Sequence, residues 1–333
     1  MKRIIALAGI LLVTAGFAAL FVSQQYNRFL DTSLMLPAQG YVLQIDSGTP
    51  ASRIVGQLAS LGFTRESWQW KLLMRLEPPG VKAGEYQLDS GLQPRSLLQL
   101  LSSGAVIQYR FTLVEGWTFA QLLAALSSDL ILRQTLNQDS AEAATDIVSG
   151  LNIDHPEGWF FPETYQFTRS DADFEILARA HSAMKNALES AWQARKTGLP
   201  LNSPYELLIL ASIIEKETAI DDERSQVAGV FIRRLQKGMR LQTDPTVIYG
   251  MGDSFDGNIR RRDLQTDTPY NSYTRSGLPP TPIAMPGRAS LFAAGQPDDG
   301  AALYFVADGK GGHTFSATLQ EHQKAVNKLI GKN

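Results

Sequence analysis

The uninterrupted uncharged stretch from Ile4 to Val22 limits what this chain can be more than any other feature. As a helix rising about 1.5 Å per residue it spans roughly 28 Å, close to the hydrocarbon thickness of a bilayer. Lys2 and Arg3 precede it. Such charges are retained on the cytoplasmic side, so the N-terminus is expected inside and everything after Ser23 outside. A cleaved signal peptide competes with this reading, because Ala15, Ala18 and Ala19 place small residues near the far end. The length of the stretch favours a retained anchor over residues 1–23, with residues 4–22 in the membrane. No second apolar run of that length follows, so a single-pass protein with a large outer portion is expected.

The remaining chain has enough material for two modest domains: 333 residues, 44% of them hydrophobic. Thirty-one Lys plus Arg against 33 Asp plus Glu leave a net charge of −2, which gives nucleic acid no polycationic face to bind. With no Cys, disulfides, thiolate metal sites, iron–sulfur clusters and a cysteine nucleophile are excluded. His155, His181, His313 and His322 form no HExxH or paired pattern, so neither a metal nor another cofactor is expected. No GxSxG supplies a serine nucleophile elbow.

Residues 24–40 carry little periodicity and read as a stalk. A strand-like run, Tyr41 to Ile45, is followed by a helix with apolar Ile54, Leu58 and Leu61, and then by one with Trp68, Leu72 and Leu76 on one face. Pro78-Pro79-Gly80 ends the second helix, Gly84 to Leu88 reads as a strand and Pro94 to Leu101 as a third helix. In order and size, residues 41–104 resemble a small LysM-like carbohydrate-binding subdomain. Residues 105–333 mix helices and short strands and are expected to form a larger catalytic domain, so the fold class is α+β. Alternating Ile107, Tyr109, Phe111 and Leu113 predict a strand, and Thr118 with Gln121 a capping box for a helix through Leu126. A polar stretch over 127–149 leads to Glu157-Gly158-Trp159-Phe160-Phe161-Pro162-Glu163-Thr164-Tyr165, an aromatic loop that either presents rings to a sugar or is pinned to the core by them. The helix from Asp173 to Trp192 carries His181 in an apolar stripe, as a core histidine would sit.

The segment from Ser203 to Thr218 is the most informative. Ser203 is placed to cap, Pro204 takes the first helical position and Glu206 closes a capping box. Leu207 to Ile214 is apolar nearly all round, which predicts a helix buried within the domain. Side chains three, four and seven apart share a face, so Glu217 stacks over Ile214, Ile213 and Leu210, and Glu215 over Ser212, Ala211 and Leu208. A carboxyl there loses hydration in its ionised form, which raises its pKa and suits it to donate a proton near neutral pH. Glu217 is the better acid and Glu215 the next. The opposing reading makes both, with Lys216 and Glu223, a solvated helix end. Downstream, a helix from Glu223 to Lys237 is expected to bury Val227, Val230, Phe231 and Leu235. Leu241 to Gly250 is a polar run with little reason to pack a core, and Tyr270 to Thr274 with Gly277 to Ile283 form a stiff aromatic loop. Gln242, Asn271 and Tyr273 suit the hydroxyl and N-acetyl groups of neutral sugars. Arg260-Arg261-Arg262 reads as a solvated loop or as a contact for peptide-stem carboxylates. Asp308 to His313 reads as a turn after a strand at Leu303 to Val306, with His313 near enough to border a cleft.

Four of these stretches, Ala211 to Thr218, Gly238 to Gly250, Gly277 to Pro280 and Tyr304 to Phe315, closely resemble the endolytic murein transglycosylases, the MltG or YceG-like family. Glu115-Gly116, Glu157-Gly158-Trp159-Phe160, the LysM-like region and the anchor extend the resemblance over most of the chain. It implies a bacterial inner-membrane enzyme with a cytoplasmic N-terminus and a periplasmic catalytic domain. Such an enzyme is a carbon–oxygen lyase that cuts nascent peptidoglycan strands internally, between N-acetylmuramic acid and N-acetylglucosamine. It leaves 1,6-anhydro ends, ends strand elongation and needs no cofactor. Glycan strands are the implied partner, together with peptidoglycan synthases and elongation or division proteins. The family's catalytic glutamate precedes a small hydroxyl residue, here Glu217 before Thr218.

Gln242, Thr243, Asp244 and Tyr249 are accordingly expected to line the cleft, and Asn271 and Tyr273 to hold the glycan. Asp244 has a second reading as the cap of a helix beginning at Pro245. Two other functions remain open: a non-catalytic peptidoglycan-binding scaffold and a hydrolytic muramidase. The absence of an obvious second carboxylate near Glu217 favours internal attack by a sugar hydroxyl over attack by water.

Overall fold

A helix of 30 residues, α1 (Lys2–Asp31), begins the chain. Its Gly9–Asp31 portion is long and apolar enough, by length and composition, to cross a membrane, with an 18-residue window of mean hydropathy 1.4 in which no residue is buried. The structure, a computed structural model, describes residues 2–136 and 140–331. The side chains of Lys2 and Arg3, which are expected to orient the anchor, positions 137–139 of the polar stretch, Met1 and the last two residues lie outside the described part.

The described chain divides into two units, residues 1–109 with 168–170, and residues 110–167 with 171–333. In the first, β1 (Tyr41–Ile45), α2 (Ala51–Ser60), α3 (Trp68–Leu76) and β2 (Gly84–Leu88) follow in the order the sequence predicts, and α4 (Pro94–Ser103) succeeds them. The strands pair antiparallel, Tyr41 opposite Leu88 and Ile45 opposite Gly84. Leu43, Leu58, Leu73, Tyr86 and Leu97 make the core. Residues 24–40 are not a free stalk. The first helix runs on to Asp31, and Leu30 and Leu34 join that core with Tyr26 and Phe29 packed against it. Tyr26, Phe29 and Leu30 have the three- and four-residue spacing of a helix face, a pattern too short to register beside the apolar run that precedes it.

β3 (Tyr109–Thr112), which belongs to the second unit from Arg110 on, is followed there by α5 (Phe119–Ser128), α6 (Ser140–Leu151) and β4 (Thr164–Phe167), β3 pairing with β4. The Thr118–Gln121 capping box is present at the start of α5. The polar stretch conceals α6, which among its described side chains buries Ala143 and Ile147, and one alanine and one isoleucine make a weak stripe. Four helices then build the main core: α7 (Asp173–Gln193), α8 (Pro204–Glu217), α9 (Asp221–Gln236) and, after α10 (Asp244–Met251) and α11 (Arg261–Gln265), α12 (Arg288–Gly295). Every residue of α8 from Leu207 to Ile214 is buried, as a helix apolar on all sides must be, with α7, α9 and α12 around it. The aromatic loop is pinned to this unit by its rings: Phe160 and Phe161 are buried, and Trp159 stacks on Tyr205 at 5.9 Å between centroids. His181 is buried against it, Nδ1 3.3 Å from the Trp159 carbonyl, as a core histidine. A hairpin of β5 (Tyr304–Ala307) and β6 (His313–Ser316), and α13 (Leu319–Ile330), complete the unit.

Candidate active site

Helix α8 ends in the feature that the site is built on. Its start is fixed by the Ser203 hydroxyl, which accepts the Glu206 N–H at 3.3 Å, and its end by an extended Thr218. Glu217 is the last helical residue. Its half-buried side chain lines a cleft of about 490 Å³ together with Arg234, Gln242, Asp244, Tyr273, Tyr304 and His313. Glu215 turns elsewhere, because two residues are about 200° of helix. Its Oε2 accepts the Gly287 N–H at 2.9 Å, and it does not line the cleft.

The loop before α10 delivers a hydroxyl to the acid. Thr243 Oγ1 donates to Glu217 Oε1. Thr243 is held in turn by a knot of small hydroxyl residues: its N–H donates to Ser272 Oγ at 3.0 Å, Ser272 Oγ meets Thr246 Oγ1 at 2.8 Å, and Thr246 Oγ1 donates to the Thr243 carbonyl at 2.8 Å. Gln242 has a left-handed backbone, φ 52°. That turn buries Leu241 and Thr243 on either side while leaving the Gln242 side chain in the cleft, and for a non-glycine residue such a conformation costs about 1–2 kcal/mol. The helix expected from Pro245 starts one residue earlier, at Asp244. The Asp244 carboxylate does not cap it but accepts the Tyr273 O–H at 2.6 Å on the cleft wall. The run over 241–250 is therefore not a purely polar loop: Leu241 and Val247 are core residues.

Burial raises the Glu217 pKa above its ordinary value of 4.5, and the charge of Asp244 adds to the rise; the Thr243 hydroxyl, His313 and Arg234 oppose it without cancelling it. The two neighbours thus push in opposite directions, which gives a paired prediction. In Asp244→Asn the lost negative charge lets Glu217 ionise at lower pH, so the alkaline limb of a pH–rate profile moves down. In Thr243→Val the carboxylate loses a donor, so the same limb moves up. Limbs that move together, or not at all, would detach Glu217 from the proton-donating role.

Two charged groups here escaped the sequence. Arg234, only 7% exposed, donates from Nε to the Leu303 carbonyl and from Nη1 to the Leu241 carbonyl, each at 2.7 Å, so one side chain ties β5's approach to the Gln242 turn. It lies seven residues after Val227, four after Val230 and three after Phe231, a cation on the apolar stripe that could have marked it. Leu235, expected in that stripe, is only half-buried. Glu223 faces His313 Nδ1 at 2.7 Å and accepts its backbone N–H at 2.8 Å. Burial works to raise the Glu223 pKa, but these bonds and the Thr218 hydroxyl outweigh it and hold the group ionised. A carboxylate accepts only, so His313 Nδ1 carries the hydrogen and the ring is oriented at the cleft's edge.

The YceG-like family model matches residues 43–328. The chain belongs to the YceG-like family. Similar proteins include an endolytic murein transglycosylase of Bacillus subtilis (strain 168), 33% identical over 86% of this chain and 84% of its own length. One of Streptococcus pneumoniae (strain D39) is 26% identical over 92% of this chain, which spans 62% of that relative's length. The crystal structure of a yceG-like protein from Listeria monocytogenes superimposes with a TM-score of 0.53 at 28% identity, covering 86% of this chain and 99% of that one.

Within this YceG-like protein, two of the residues expected around Glu217 sit apart from it. Asn271 is 1% exposed, and its amide donates to the carbonyls of Asp263, Leu264 and Thr266, so it shapes the loop rather than facing a glycan. Tyr249 lies at the far end of α10 from Thr243 and lines a second cavity, of about 500 Å³. There it donates to Glu157 Oε2 at 3.0 Å, while Glu157 Oε1 accepts the Phe119 N–H at 2.9 Å. Burial carries the Glu157 carboxyl up to about 7 against both bonds. Sequence reasoning missed this acid because it stood among aromatics that drew the eye. Gly158 beside it has φ 82°, and a Cβ there would lie 2.5 Å from Pro282, so the turn that points Glu157 inward requires glycine.

Proposed function

We propose that this chain is a membrane-anchored endolytic murein transglycosylase of the bacterial inner membrane, with Glu217 as its acid and base and its catalytic domain in the periplasm. One observation carries the reading: a carboxyl at the end of a helix buried from Leu207 to Ile214, its pKa raised, opens into a cleft walled by aromatic side chains and the Gln242 amide. The proton leaves Glu217 for the glycosidic oxygen as the bond from muramic C1 to that oxygen breaks. The muramic C6 oxygen then bonds to C1, and its hydroxyl proton returns to Glu217, which restores the acid and leaves a 1,6-anhydro end. Thr243 holds the carboxyl in place. Gln242, Asp244 and Tyr273 meet sugar hydroxyl or N-acetyl groups, and the rings of Tyr304 and Phe305 suit sugar faces. The β1–α2–α3–β2 region serves as a LysM-like glycan holder, and internal cleavage of new strands ends their elongation. Synthases and elongation or division proteins are the partners this role calls for.

Asp244 supports a second reading. It puts a second carboxylate on the cleft wall, and two carboxylates are what a hydrolytic muramidase uses. Its engagement with Tyr273 favours a fixed electrostatic role instead. Mass spectrometry of murein digested by the purified full-length protein separates the outcomes. Anhydro ends are expected; reducing ends would mean water attacks, and no cleavage would leave a binding scaffold.

A further inference from the structure

The hairpin that gives Tyr304 to Ala307 and His313 to the Glu217 cleft borders another cavity, of about 380 Å³. Ala307 lines both, so the two adjoin at the end of β5. The second cavity has a different chemistry. Lys310 from the hairpin turn and Lys324 and Lys328 from α13 line it, with Asp308 and Thr314. Lys324 and Lys328 are four residues apart and share one helix face. All three lysines are exposed, and among the described residues none is engaged in an ion pair. Asp308 is the one acid of the lining. Its Oδ1 accepts the N–H of Lys310 at 2.6 Å and of Gly312 at 3.1 Å, so it serves to close the turn. Glu321, at the start of α13, is likewise engaged, accepting the Ala317 and Thr318 N–H groups at 3.0 Å. Three ammonium groups against one carboxylate therefore give this cavity a surplus of positive charge in a chain whose net charge is −2.

We infer that this lysine-lined cavity is a subsite for the carboxylates of the peptide stem carried by the muramic acid bound beside Glu217. The inference rests on the murein reading above. A glycan strand is neutral in its sugars and anionic in its stems, so one groove for each chemistry, meeting at Ala307, matches the polymer. Lysines suit this ligand: they are mobile point charges able to follow a flexible stem, and the attraction they supply rests on charge rather than on a fixed fork geometry. The arginine triplet is a poorer candidate, since Arg260 pairs with Asp256 at 2.5 Å and Arg262 with Asp263 at 3.4 Å.

The test is a binding measurement without turnover. Full-length Glu217→Gln protein in detergent is sedimented with intact sacculi and with sacculi stripped of stems by an amidase. Three exposed ion pairs predict about tenfold tighter binding to the intact material, and raising salt from about 50 to about 500 mM should erase that preference. Combining Lys310→Ala, Lys324→Ala and Lys328→Ala should erase it too, and arginine at the same positions should restore it. Equal binding of both materials by the parent, or a preference that survives the triple alanine variant, would overturn the subsite. So would a triple variant that weakens both materials alike, or one that loses only its affinity for vesicles of anionic lipid, which would assign the lysines to a membrane surface. Failure of the wild type to cleave murein in a parallel digestion would instead sink the catalytic reading, and the two failures are read independently.

Discussion

Glu217→Gln is expected to lower the release of anhydro-muropeptides at least about 10³-fold while leaving the fold intact. General acid–base groups contribute about 10²–10⁴-fold, and in the proposed reaction a single carboxyl gives up a proton in one half and takes one back in the other. Glutamine keeps the shape and can still accept the Thr243 hydroxyl, but it has no proton to transfer. Stability should not fall with activity. The folded pKa of Glu217 is raised above 4.5, so between 4.5 and that higher value the folded state binds more protons than the unfolded one. Wild-type stability therefore declines as pH rises through that window, and above it the ionised, half-buried carboxyl is a burden. The glutamine variant, with nothing to ionise there, should melt no lower than wild type at pH 7 and should lose that part of the pH dependence. Product analysis and thermal melts at pH 5 and pH 7 check both halves. Wild-type product release by the variant would move the acid elsewhere. A variant that unfolds would show the carboxylate to be structural.

Why Glu217 was legible and its surroundings were not comes down to sequence distance. The acid, its cap at Ser203 and the eight buried residues between them, seven of them apolar, lie in one segment, so local periodicity alone places the carboxyl at the end of a buried cylinder. Likewise the β1–α2–α3–β2 order, the Thr118 cap and the core role of His181 follow from local spacing. Contacts made across the chain follow different rules. Thr243 reaches Glu217 only because α9 returns the chain and Gln242 adopts a left-handed turn in a residue that does not advertise one. By residue type Asn271 is expected to hold the glycan and Tyr249 to line the cleft. Loop carbonyls near Asn271 and a buried acid near Tyr249 had a prior claim on their polar atoms, since buried polar groups must find partners. The same rule explains Arg234 and Glu157: each is a charged residue inside, which composition-based reasoning places outside.

Arg234→Ala should accordingly be the most destabilising single change at the cleft. Its guanidinium is buried, and two carbonyls from different segments, Leu303 and Leu241, depend on it. Removing one partner of a buried hydrogen bond strands the other at about 1–3 kcal/mol, so two such losses amount to about 2–6 kcal/mol, or a thermal midpoint lower by roughly 4–24 °C. Activity should fall further than stability accounts for. The Leu241 carbonyl lies two residues before Thr243, so a loosened turn carries the hydroxyl away from Glu217 Oε1. Arg234→Lys separates charge from geometry. A lysine keeps the positive charge near Glu217 but cannot direct two donors at carbonyls in different directions, so it should recover part of the stability and little of the rate. Lys237→Ala, an exposed change one turn of α9 away, should stay within about 0.5 kcal/mol of wild type. The measurement is a melt and a murein digestion for each variant. If Arg234→Ala matches Lys237→Ala in both, the Gln242 turn holds itself, and the positioning of Thr243 must be assigned to the Ser272 and Thr246 hydroxyls alone.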